Sequence, residues 1–120
     1  MSSPSNTDSP ELALELGKLL AGHKAGEVTV MDMRPLNMWT DYFIVATVNS
    51  SVHTQGLKRH IKDFCAERGV EILRRRKTLN DDEWNLVDMG TIVVHLMTAK
   101  ARSFYELERL WSEAPVIGPV

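Results

Sequence analysis

The stretch Asp41-Tyr42-Phe43-Ile44-Val45-Ala46-Thr47-Val48 constrains this chain most. A half-exposed strand alternates apolar and polar residues. A nearly unbroken apolar run of β-branched and aromatic side chains instead reads as a strand covered on both faces. The stretch is therefore expected at the centre of a sheet, with packing layers on either side. At 120 residues the chain has room for one such core and not for two.

The flanking sequence supplies those layers. Residues 1–8 are rich in Ser, Pro and Asn and are expected to form a flexible leader. Ser9 as N-cap, Pro10 at the first helical position and Glu11 at the positive end of the dipole then start a helix. Leu12, Leu16, Leu19, Leu20 and His23 share one face of it, and it ends between Gly22 and Gly26. Val28 to Met33 is β-rich and stopped by Pro35, which cannot donate to a ladder. After the central strand, Asn49-Ser50-Ser51 offers caps for a second helix with Leu57, Ile61, Phe64 and Cys65 on one stripe and Gly69 as its stop. Glu71 to Arg75 reads as a short third strand and Thr78 to Glu83 as a polar loop.

Trp84–Asp88 and Thr91–Met97 are separated only by Met89-Gly90, which predicts a tight antiparallel hairpin with Gly90 taking the positive φ. Ala99 to Ser112 reads as a closing helix with Phe104, Leu107 and Trp111 on its core stripe, followed by a flexible tail over 113–120. The expected order is α-β-β-α-β-β-β-α. It describes an α/β domain over 9–112 with one mixed sheet of about five strands packed by helices.

Composition removes several function classes. A formal charge of −2 disfavours sequence-independent nucleic-acid binding, which needs a basic excess to displace counterions from phosphates. With 43% apolar and 25% charged residues the chain looks like an ordinary soluble protein, and no apolar run approaches the ~20 residues that span a bilayer. The single Cys65 cannot form an internal disulfide, so a reducing, cytoplasmic home is expected.

Catalytic equipment is hard to find. His53 and His60 are two helical turns apart, about 10 Å along the axis, too far to ligate one metal directly. His95 lies in an apolar strand with no identifiable nucleophile to serve, and Cys65 falls on a buried stripe, where a packed thiol is the ordinary outcome. Asp81-Asp82-Glu83 is consecutive in a loop, not displayed at alternating strand positions, and reads as solvated. No cofactor or metal is expected. The basic run Arg74-Arg75-Arg76-Lys77 suits either RNA phosphates or an edge strand guarded by charge. Trp84 opens a strand after a polar loop, where burial and partner contact are equally natural for an aromatic residue.

Taken together, Thr40-Asp41-Tyr42-Phe43, the turn Thr47-Val48-Asn49-Ser50, His60, the hairpin Trp84-Asn85-Leu86-Val87-Asp88-Met89-Gly90-Thr91-Ile92-Val93-Val94-His95 and the helix Phe104-Tyr105-Glu106-Leu107-Glu108-Arg109-Leu110-Trp111 resemble the ribosomal silencing factor family, also called Iojap-like. The resemblance runs over roughly residues 10–112. It implies a nucleotidyltransferase-like fold without enzymatic activity, binding to the large ribosomal subunit at ribosomal protein uL-fourteen, and steric interference with subunit joining that represses translation under nutrient limitation. It also implies a partner surface at Trp84, Asp88, Gly90, His95 and Tyr105. Arg74, Arg75 and Arg76 are candidates for auxiliary contact with ribosomal RNA. Two alternatives stay open, a role in large-subunit assembly and a nucleotidyltransferase-like enzyme. The latter would need two or three carboxylates on adjacent strands for magnesium. The free protein could be a monomer or a homodimer.

Overall fold

A computed structural model describes residues 10–36, 40–73 and 83–119. Helix α1 (Pro10–Gly22) leads into β1 (Gly26–Asp32), a single 3-10 turn at Arg34–Leu36, and β2 (Tyr42–Val48). Helix α2 (Ser51–Arg68) follows, then β3 (Trp84–Asp88), β4 (Ile92–Thr98), the short helices α3 (Ala99–Tyr105) and α4 (Leu107–Leu110), and β5 (Val116–Pro119).

The five strands form one mixed sheet in the order β3-β4-β2-β1-β5. β2 lies at its centre, antiparallel to β1 and parallel to β4, as its apolar run predicts. Side chains of β2 are buried alternately on the two faces. Tyr42, Ile44, Ala46 and Val48 join a large cluster with Leu12, Leu16 and Leu20 of α1 and Leu57, Ile61 and Phe64 of α2. Phe43 and Val45 point the other way, into a smaller cluster with Met31, Met33, Val93, Met97, Ala101 of α3 and Leu107 of α4. The period of two along each strand thus divides the core into two layers.

Local signals account for the ends of α2. The Ser50 hydroxyl accepts from the His53 backbone N–H at 3.0 Å, and Gly69 takes the left-handed conformation with φ 68°. Cys65 is buried, as its stripe predicts, with its Sγ 3.1 Å from Met89 Sδ at the hairpin tip. Burial pushes the thiol pKa up, which keeps it protonated and unreactive.

Three expectations fail. Of the strand expected over Glu71–Arg75, the described part, Glu71–Leu73, holds one isolated bridge, between Leu73 and Asp88, while Arg74 and Arg75 lie outside the described residues. The parallel neighbour of β2 is β4, the second arm of the hairpin. The expected tail over 113–120 contains β5, which pairs antiparallel with β1 through Thr29↔Pro119, Val30↔Gly118 and Met31↔Val116. Its proline is tolerated because β5 is an edge strand. The closing helix, expected unbroken over Ala99–Ser112, is split at Glu106, whose φ is 49°. That break turns the chain, so Phe104 leaves the core stripe and stands 77% exposed while Leu107 is 2% exposed.

Candidate functional site

The broken helix and the hairpin build a row of rings on the second face of the sheet. Trp84 opens β3 opposite Met97 of β4, and its side chain is half-buried. Tyr105, the last residue of α3, sets its ring centroid 4.6 Å from that of Trp84 at 51°, and Phe104 stands against Tyr105 at 4.9 Å, nearly perpendicular. Inward, His95 lies 6.0 Å from Trp84 and 4.5 Å from Phe43, and Phe43 meets Trp111 edge to face at 5.1 Å. Six rings therefore run from the exposed Phe104 through Tyr105, Trp84, His95 and Phe43 to Trp111. The outer end faces water, with Tyr105 47% exposed and Phe104 more so. Contiguous exposed aromatics of this kind mark binding surfaces more often than they mark folding.

His95 is the polar member of the row. It is 5% exposed, and its Nδ1 accepts from the Trp84 indole Nε1–H at 3.2 Å. Desolvation pushes its pKa down to about 3, so the ring is neutral at physiological pH. With Nδ1 accepting, the proton of a neutral imidazole must sit on Nε2. Nε2 is buried and has no hydrogen-bond partner among the described residues.

The break that exposes Phe104 is held by a second polar group. Arg102, 8% exposed, spans the kink between α3 and α4 by pairing with Glu108, to which both Nε and Nη2 donate. It also donates to Thr47 Oγ1 at 2.9 Å, Thr29 Oγ1 at 3.1 Å and the Gly26 carbonyl at 3.4 Å. One planar guanidinium thus ties both short helices to β1 and β2, which a point-charge ammonium could not do. Sequence reasoning misses this group. No periodicity marks it, because Arg102 lies on the opposite side of the expected helix from the stripe of Phe104, Leu107 and Trp111.

Of the five residues expected to form a partner surface, the structure brings Trp84, His95 and Tyr105 together. Asp88 and Gly90 lie at the far end of the hairpin, four residues or about 13 Å along β3 from Trp84. There they shape the turn: Asp88 Oδ1 accepts the Gly90 N–H at 2.8 Å, and Gly90 has the expected positive φ of 85°. His95 is too deeply buried to meet a partner itself. Phe104, assigned to the core by periodicity, belongs instead to the exposed end. Arg76 of the basic run lies, like its two neighbours, outside the described residues.

The histidines of α2 have local partners. His53 accepts the Asn49 N–H at Nδ1 and reaches the His23 carbonyl at 3.0 Å, while His60 stacks on His23 at 3.6 Å. Among the described residues no three His, Cys, Asp or Glu side chains converge to hold a metal ion, and no helix is long and apolar enough to cross a membrane. Asp88 faces Val93 across the hairpin, so no second carboxylate accompanies it on the neighbouring strand.

Comparison with known proteins agrees over nearly the whole chain. Residues 6–119 match the family described as "Ribosomal silencing factor during starvation". The chain is 36% identical over 105 residues to the ribosomal silencing factor RsfS of Treponema pallidum, covering 87% of this chain and 93% of that protein. It is 34% identical over 93 residues to the Bacillus subtilis RsfS, covering 78% of each. A mouse protein named "Mitochondrial assembly of ribosomal large subunit protein 1" is 29% identical over 107 residues, and this chain spans 43% of its length. A crystal structure of a Chromobacterium violaceum protein superposes with a TM-score of 0.72 at 31% identity, over 85% of this chain and 82% of that one. The chain belongs to the ribosomal silencing factor family.

Proposed function

We propose that this protein binds the large ribosomal subunit through ribosomal protein uL-fourteen and, once bound, occupies space the small subunit needs, so that joining and translation fall during nutrient limitation. The exposed aromatic ledge of Trp84, Tyr105 and Phe104 carries the reading. It is apolar, contiguous and rigidly backed by the sheet, the form that interface anchors take. Asp88 and Gly90 extend the contact along the hairpin, where a carboxylate suits the basic side chains of a ribosomal protein. Arg74, Arg75 and Arg76 serve as auxiliary contacts to ribosomal RNA, and the protein acts in the cytoplasm as a binder, not an enzyme.

Co-sedimentation with purified large subunits tests the reading. Wild-type protein travels with the large subunit, and Trp84→Glu, which keeps its circular dichroism spectrum, stays at the top of the gradient. Equal co-sedimentation of both proteins would remove Trp84 as anchor.

A second reading, large-subunit assembly, is favoured by the mouse relative's name. It predicts that cells lacking the protein accumulate immature large subunits. Mature subunits in normal amounts in such cells would exclude it.

A further inference from the structure

We propose that His95 is a positioning residue for the partner surface: its bare Nδ1 holds the Trp84 indole in the one orientation on which Tyr105 and Phe104 complete the ledge. The proposal rests on the binding function above and assigns His95 a role other than contact.

Three observations carry it. His95 is 5% exposed, with its ring 4.5 Å from Phe43 and 6.0 Å from Trp84, so it is too deeply buried to be a contact itself. The indole Nε1–H is a donor only, and its 3.2 Å bond to Nδ1 therefore selects the Nε2–H tautomer. A protonated ring would turn a donor toward that N–H, and burial, which pushes the pKa down to about 3, keeps the ring neutral. The consequence is geometric. Trp84 opens an edge strand and is half-buried, so without the bond its indole could sample other rotamers over the sheet rim. With the bond, its ring stands 4.6 Å from Tyr105, which in turn supports Phe104 at 4.9 Å. The ledge is then set before a partner arrives, and less side-chain freedom is lost on binding. The Nε2–H, which has no partner among the described residues, fits this account. Leaving a buried donor unsatisfied is unfavourable for folding, and such groups persist where they serve function.

The test combines nitrogen-resolved NMR with binding to large subunits. At pH 7 the wild-type His95 should carry its proton on Nε2 alone, and the Trp84 indole N–H should exchange about tenfold or more slowly than a free indole. His95→Asn, whose side-chain oxygen can occupy the Nδ1 position, should keep that protection and most of the affinity. His95→Phe keeps a ring but no acceptor. It should lose the protection and bind large subunits about tenfold more weakly. A proton on Nδ1 in the wild type, or full affinity in His95→Phe while Trp84→Glu abolishes binding, overturns the positioning role alone. Full affinity in Trp84→Glu overturns the anchor reading itself, and the proposal falls with it.

Discussion

The two faces of the sheet are built from the same five strands but differ in kind. On the α1–α2 face two helices of 13 and 18 residues close a layer that is largely aliphatic, with Tyr42, Phe64, Cys65 and Met89 among its members. The α3–α4 face is covered by helices of seven and four residues. Its layer holds a buried histidine and a buried arginine, and its row of rings continues outward at Phe104 and Tyr105. Long helices with aliphatic stripes make stability. A face that buries an imidazole and a guanidinium and leaves rings outside gives up part of that stability to hold a shape. Under the proposed function, the contrast puts folding on one side of the sheet and recognition on the other.

The contrast breaks most visibly under paired substitutions. Ile61→Ala on the first face should cost about 3 kcal/mol in urea unfolding, because it empties a fully buried site. Phe104→Ser on the second should change stability by no more than about 0.5 kcal/mol yet weaken large-subunit binding at least about tenfold. Equal effects of the two substitutions on both measurements would erase the distinction.

A smaller effect is expected at Arg102. Arg102→Ala strands two threonine hydroxyls and a carbonyl and removes the tie across the Glu106 kink, which should cost about 2 kcal/mol. The loss is moderated because the Glu108 side chain is one-third exposed and can rehydrate. Arg102→Lys should recover only a minor part, since one ammonium cannot satisfy the same fork. Full recovery in the lysine variant would mean that charge alone holds the kink.

The smallest effect, counted per pH unit, is a slope with pH. Buried His95 stays neutral down to about pH 3, whereas the same imidazole in the unfolded chain takes up a proton near pH 6.5. Below that value the unfolded state binds more protons. The stability is thus fully present above about pH 6.5 and is lost as pH falls toward 3, by at most about 1.4 kcal/mol per unit. Asp32 does not confuse the window. The Arg34 guanidinium holds its carboxyl below the usual carboxylate range, so its contribution is present above about pH 4 and lost only below it. Urea midpoints between pH 7 and 4.5 should fall more steeply for wild type than for His95→Phe. Parallel curves would contradict the buried neutral ring.

Much of the first face was legible in the sequence because its signals are local and periodic. The stripe of α1, the Ser50 cap, the left-handed Gly69 and the doubly covered β2 each follow from residue type and spacing. The second face was less legible because long-range contacts shape it. Glu106 is an ordinary helix former, and its left-handed conformation accompanies the bridge from Arg102 to Glu108, which no periodicity announces. Val116 and Ile117 suit a strand but Gly118 and Pro119 do not, and the four residues pair because β1 offers an open edge. Ile72 and Leu73 suit a strand as well, yet among the described residues one bridge, Leu73 to Asp88, forms there. At the candidate site, the motif that resembles the family picked out Trp84, His95 and Tyr105, which do converge. It could not tell that His95 lies beneath the surface or that Phe104 lies on it, since both depend on the kink.

Subunit joining tests the central claim most directly. Purified protein is added in excess to separated large and small subunits, and joined ribosomes are measured by sedimentation. The wild type should reduce the joined fraction in proportion to its occupancy of the large subunit, and Trp84→Glu should leave it unchanged. An undiminished yield of joined ribosomes with the large subunit saturated by wild-type protein would contradict steric silencing.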